Sequence, residues 1–153
     1  MIKNAHRSGY VSVIGNPNVG KSTLVNALMG RDLSITTAKA QTTRHRILGF
    51  INGDDYQLIL SDTPGIIKPA YEMQNSMMDF VKESLDDADV LIYMIDVAER
   101  NIKDERLLEK IQKSKTPLLV LINKIDTSTQ EELEQAVQHW AMIFPDSSVI
   151  PIS

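Results

Sequence analysis

Eight residues near the start of this chain, Gly15-Asn16-Pro17-Asn18-Val19-Gly20-Lys21-Ser22, fit the pattern of glycine, four residues, Gly-Lys and Ser or Thr. This pattern constrains the fold because it works only between a strand and a helix. Both neighbours are legible. Tyr10 to Ile14 is a short apolar, partly β-branched run that reads as a buried strand, and Thr23 to Met29 reads as a helix closed by Gly30. Glycines let the backbone wrap around phosphate oxygens, and the N–H groups opening a helix add donors and the positive end of its dipole. The loop therefore reads as a site for a nucleoside triphosphate, with residues 15–23, Thr23 included, around the phosphates. Lys21 would reach the β and γ phosphates, and the Ser22 hydroxyl would face a magnesium ion, a hard cation that prefers oxygen.

The rest of the chain predicts alternating strands and helices. Arg31 to Thr43 is polar and without period, and reads as a long mobile loop. Arg44 to Ile51 and Tyr56 to Leu60 read as strands, and Asn52-Gly53 between them signals an antiparallel hairpin. Ser61-Asp62-Thr63-Pro64-Gly65 follows at a strand's carboxyl end. Met73, Met77, Phe80, Val81 and Leu85 then recur at helical spacing and read as core. Asp89 to Ile95 is a strand, Asp104 to Ser114 a helix and Leu118 to Ile122 a strand that delivers Asn123-Lys124-Ile125-Asp126. A helix over Gln130 to Ile143 carries Glu131, Glu132 and Glu134 near its positive end, and Ser148 to Ile152 is a last strand. The expected fold is α/β, a mainly parallel sheet with one antiparallel edge strand and helices on both faces, with ligands at the carboxyl ends of the strands.

Composition narrows little but excludes some classes. With 153 residues the chain is one domain's worth, and a net charge of −4 offers no basic footprint for nucleic acid. No cysteine is present, which removes disulfides and thiolate metal sites. The polar start lacks a signal-peptide core and the apolar runs are too short to span a bilayer, so the reading is a cytoplasmic protein. Peripheral association with the inner membrane has no support in this charge pattern. His45, His6 and His139 read as polar surface residues rather than catalytic ones.

The phosphate loop, Asp62-Thr63-Pro64-Gly65 and Asn123-Lys124-Ile125-Asp126, in this order, resemble the translation-factor-type GTPases, a Ras-like G domain within the P-loop NTPases. In that resemblance Asp62 holds magnesium, usually through water, and the Gly65 N–H bonds the γ phosphate, so that Thr63, Pro64, Gly65 and Ile66 form a switch. The Asp126 carboxylate matches the two adjacent N–H donors of guanine. A site built to pair a donor rejects ligands lacking it by about 10⁴ to 10⁵ in favourable cases. Lys124 would lay its methylenes over the base, and Asn123 would tie this loop to the phosphate loop.

Ile35 to Arg46, Gly15-Asn16-Pro17-Asn18 and the closing Val149-Ile150-Pro151-Ile152-Ser153 narrow the resemblance to the Era-type GTPases, along essentially the whole chain. It implies that Gln41, Thr42 and Thr43 form the first switch, with Thr43 favoured over Thr42 as a magnesium ligand. It also implies catalytic contacts from Lys21, Thr43 and Gly65, and a guanine contact near Ser153. Ile66 stands where Ras-like proteins carry the glutamine that orients the attacking water. The sequence thus resembles the GTPases with a hydrophobic residue at this place, which implies slow intrinsic hydrolysis, and Asn18 holds the place of an asparagine that binds potassium in many such proteins. The implied function is a GTP/GDP switch in small ribosomal subunit assembly. The 16S rRNA would be contacted through a following KH domain outside these residues, and the chain is expected to stop inside the family's fifth motif. A P-loop ATPase or kinase would leave Asn123-Lys124-Ile125-Asp126 unexplained. A nucleotide-binding module without turnover is the other alternative.

Overall fold

The computed structural model describes residues 5–31, 43–70, 72–102 and 104–153. Gln41 and Thr42 lie outside the described residues, as does most of the expected loop over 31–43. Six strands form one sheet: β1 (Arg7–Gly15), β2 (Ile47–Asn52), β3 (Tyr56–Asp62), β4 (Val90–Asp96), β5 (Leu118–Asn123) and β6 (Ser148–Pro151). Their order is β2-β3-β1-β4-β5-β6, and among these described strands only the edge strand β2 runs antiparallel. Among the described residues four α-helices cover it: α1 (Lys21–Met29), α2 (Glu72–Asp87), α3 (Glu105–Lys113) and α4 (Gln130–Ile143).

The alternation of side chains along the strands sorts the core into two layers. Ile14, Leu91, Tyr93, Ile95, Val120 and Ile122 pack with α2, α3 and α4, whereas Val13, Ile92, Met94 and Leu121 pack with Val25 of α1. Under α4 the Tyr93 ring meets Trp140 and Phe144 edge-on at 5.5 and 5.9 Å, which fixes that helix over β4. Local signals set the helix ends. The Thr129 hydroxyl accepts the Glu132 N–H, and the Glu132 carboxylate accepts the Thr129 N–H in return, closing a capping box on α4. Asp104 caps α3 by accepting from the Arg106 and Leu107 N–H groups. Gly30 ends α1 in the left-handed region at φ 67°.

Three expectations are corrected. The first hairpin strand starts at Ile47, not Arg44, because the Arg46 side chain turns to Ser61 and Asp87 before pairing begins. The hairpin itself turns at Asp54-Asp55. Asn52 pairs with Gln57, and the Gly53 N–H donates to the Tyr56 carbonyl, so Asn52-Gly53 is ladder rather than turn. Met73 is exposed in the first turn of α2, while its neighbours Met77, Met78, Val81 and Leu85 are buried. Among the described residues no helix is long and apolar enough to cross a membrane.

Candidate nucleotide site

The parallel register brings four strand ends to one edge. Val13 stands opposite Asp62, Gly15 opposite Met94, and Asp96 opposite Asn123. The loop from Gly15 to Gly20 leaves β1 here and enters α1 at Lys21 with no side-chain cap, so the first N–H groups of the helix remain open to an anion. The backbone is bent sharply to do so, with Asn18 at φ 62° and Gly20 at φ 106°. A Cβ at Gly20 would lie 2.5 Å from the Asn123 amide nitrogen, which explains glycine there.

Lys21 is buried in the loop, and its ammonium donates to the Asn16 carbonyl at 2.8 Å. Burial pulls its pKa from 10.5 down to about 8 against the opposing attraction of Asp62 and Glu99. A charge this poorly solvated is a natural receptor for phosphate oxygens. The Asn16 side chain donates to Glu99 at 2.9 Å, and among the described residues its own amide oxygen has no partner. Thr23, by contrast, is exposed on α1.

Three oxygen-bearing side chains from separate segments meet beside Lys21. The Ser22 hydroxyl donates to Asp62 Oδ2 at 2.6 Å and lies 3.0 Å from the Thr43 hydroxyl. Asp62 is fully buried, and among the described residues its Oδ1 has no hydrogen-bond partner, which is costly unless a further group completes it. Serine, threonine and aspartate oxygens with an open carboxylate position fit a hard divalent cation.

The Asp62-Thr63-Pro64-Gly65-Ile66 segment folds over the phosphate loop. The Ile66 N–H donates to the Gly15 carbonyl at 2.9 Å, and a Cβ on Gly65 would come within 2.8 Å of the Pro17 backbone. Thr63 donates to the Val13 carbonyl, and Ile66 is fully buried in the larger core. Ile66 has neither the polarity nor the exposure to meet water.

The Asn123 amide donates to the Val19 carbonyl at 2.8 Å, joining the Asn123-Lys124-Ile125-Asp126 loop to the Gly15–Gly20 loop across 104 residues of sequence. Lys124 is held in the left-handed region at φ 63°, and a single 3-10 turn from Ile125 to Thr127 presents Asp126. Ser153 donates to Asp126 Oδ1 at 2.9 Å. His45 meets the Phe80 ring edge-on and His139 bonds the Arg100 carbonyl, so neither reaches these loops.

Two further acidic groups escaped sequence reasoning. Asp96 pairs with Lys124 at 2.9 Å, and Glu99 receives the Asn16 amide. Asp96 closes a buried parallel strand, the same placement that marked Asp62 and Asn123, so the signal was present. Glu99 lies in an irregular segment without any such mark.

Known proteins agree with this geometry. Residues 10–124 match the family described as 50S ribosome-binding GTPase. GTPase Era of Clostridium kluyveri is 42% identical over 149 residues, covering 96% of this chain and 50% of its own length. A crystal structure of Era with MgGDPNP and nucleotides 1506–1542 of 16S ribosomal RNA superposes with a TM-score of 0.87 at 39% identity, covering 97% of this chain and 51% of that one. A single-substitution variant of Era from Aquifex aeolicus, bound to GDP and AlF4−, gives a TM-score of 0.87 at 38% identity over 95% and 51% of the two chains. The chain spans about half the length of the curated relatives it matches. With the family model covering most of its length, and with the strand order and loops described above, the chain belongs to the 50S ribosome-binding GTPase family.

Proposed function

We propose that this chain is a GTP-binding and GTP-hydrolysing switch domain that acts in assembly of the small ribosomal subunit. The observation that carries the nucleotide reading is the Asn123 to Val19 hydrogen bond, which makes one site of the base and phosphate loops. Residues 15–23 receive the phosphates, with the α1 amides and the Lys21 ammonium as donors. Ser22, Thr43 and Asp62 are the residues that would hold magnesium, in keeping with their mutual contacts and the open Asp62 oxygen. When bound, the ion neutralises charge on the phosphate oxygens.

In the reaction a water oxygen bonds the γ phosphorus, the bond from that phosphorus to the β–γ bridging oxygen breaks, and the water's proton leaves with phosphate. Lys21, Thr43 and the Gly65 N–H steady the developing charge and report whether the γ phosphate is present. With Ile66 buried, no side chain at that position orients the water, so intrinsic turnover is slow. The exposed Asn18 carries an amide oxygen at the loop's tip, a neutral ligand suited to potassium. Potassium there would supply part of the stabilisation that an arginine finger gives elsewhere, worth up to about 10⁵ in rate. Equal turnover in potassium and sodium salts at matched ionic strength would refute that role for Asn18.

Asp126 selects guanine, with Asn123 and Lys124 framing the base and Ser153 bracing the carboxylate. Affinities for GTP and ATP, repeated with Asp126→Asn and with xanthosine triphosphate, test this. Tight ATP binding by the native chain would instead favour the ATPase or kinase reading. Single-turnover phosphate release separates a GTPase from a module that binds nucleotide without turnover. The ribosomal role rests on the likeness to Era, whose structure holds a 16S rRNA fragment. A cytoplasmic site of action accords with that role. The net charge of −4 makes this domain a poor RNA surface by itself, so nucleotide-dependent co-sedimentation with small subunits is the fitting assay.

A further inference from the structure

The lysine of the base loop is already engaged. Lys124 Nζ lies 2.9 Å from Asp96 Oδ2, with the carboxylate the less exposed of the two side chains. Asp96 is fixed from its other side, where Oδ1 accepts the Ala98 N–H at 2.9 Å. The Glu99 N–H bonds its carbonyl, and the adjacent Val97 N–H bonds the carbonyl of Asn123. Although burial acts to raise it, the Ala98 N–H and the Lys124 ammonium hold the Asp96 carboxyl below the usual carboxylate range. The Lys124 carbonyl in turn receives both the amide and the hydroxyl of Thr127, which keeps the left-handed backbone in place.

Only two residues farther on stands Asp126, exposed, with one oxygen taken by Ser153. Guanine recognition needs this carboxylate free of a bound cation, while the Ser153 hydroxyl leaves it lone pairs to spare. Lys124 carries its ammonium on a flexible four-carbon stem, and without the fixed Asp96 counterion that charge is free to swing toward the neighbouring Asp126 carboxylate. We propose that Asp96 is a positioning residue for base selection: it holds the Lys124 ammonium away from Asp126, laying the methylene stem along the base site and leaving Asp126 free for the guanine N–H donors. This rests on the guanine reading above. Asp96 then acts through Lys124 without touching the base.

Inosine diphosphate separates this role from simple stability, because it lacks the 2-amino group and so reads only half of what Asp126 accepts. Dissociation constants for GDP, IDP and ADP are to be measured on the native chain, Asp96→Asn, Asp96→Glu and the double variant Asp96→Asn with Lys124→Met. Asp96→Asn is expected to weaken GDP about tenfold, the scale of one lost charge-assisted bond, and to shrink the GDP-to-IDP preference severalfold. Asp96→Glu should keep most of both. The double variant should regain the preference, since methionine supplies a stem without a charge to quench Asp126. An unchanged GDP-to-IDP ratio in Asp96→Asn, or no recovery in the double variant, overturns the proposal. ADP bound as tightly as GDP by the native chain would overturn the guanine reading itself, a distinct outcome.

Discussion

Replacing Lys21 with methionine should make the nucleotide-free protein more stable while destroying its affinity for phosphates. The side chain's residue is 6% exposed and its ammonium bonds the Asn16 carbonyl, so most of its hydration is lost on folding without full replacement. A pKa lowered from 10.5 to about 8 corresponds to about 3 to 4 kcal/mol, at about 1.4 kcal/mol per pH unit. The sign follows from proton counting. Below pH 8 the lysine is charged in both states and folding bears the whole penalty; between 8 and 10.5 the unfolded chain holds the extra proton, so stability rises with pH. Lys21→Met removes the penalty at neutral pH, and its advantage over the native chain should shrink steadily as pH climbs from 8 towards 10.

Urea unfolding of both proteins at several pH values between 7 and 10, without nucleotide, measures this difference. Taking the difference also cancels Tyr93, whose hydroxyl burial pushes well above its usual range and which otherwise lowers stability as the unfolded tyrosine ionises. Some penalty will be relieved by local relaxation, so a gain of about 1 to 3 kcal/mol at pH 7 is the expected result. A variant less stable than the native chain at pH 7, or a difference that does not change from pH 7 to 10, would refute the reasoning. The same argument makes triphosphate binding take up protons above pH 8, visible by calorimetry in buffers of different ionisation enthalpy.

Gly65→Ala forces a Cβ against the Pro17 backbone and disturbs the neighbouring Ile66 to Gly15 bond. Triphosphate affinity should fall about tenfold or more with GDP affinity nearly unchanged, measured by competition with a fluorescent nucleotide. Gly20→Ala strains a backbone at φ 106° and pushes on the Asn123 amide, so chemical denaturation should show a loss of about 1 to 3 kcal/mol together with weaker guanine binding. Thr129→Ala opens the capping box of α4 and should cost about 1 kcal/mol of stability while leaving GDP affinity intact.

The amino-acid sequence alone determined the kinds of element and the chemistry carried at their ends. Strand alternation, glycine at Gly30 and the three loop patterns required no tertiary information, because each is a local rule about backbone freedom, burial or ligand chemistry. The two core layers follow from the same alternation. Where competing local signals existed, packing chose. Asn52-Gly53 is a strong turn signal, yet the register of β2 against β3 carried the turn two residues on to Asp54-Asp55. Met73 keeps helical spacing with Met77 but stands exposed in the opening turn of α2, ahead of the buried stretch.

Only the tertiary structure decided which polar groups face one another. Asn16 with Glu99, Ser22 with Asp62 and Thr43, and Lys124 with Asp96 are separated by 21 to 83 positions in the chain. No local period can report such pairings. They arise because parallel strands deliver their carboxyl ends to one edge, where loops of different origin share a small, poorly solvated space and each charge must find a partner. The sequence marked the residues proposed to hold a guanine nucleotide; the fold set the buried state of Lys21 and the counterion of Lys124.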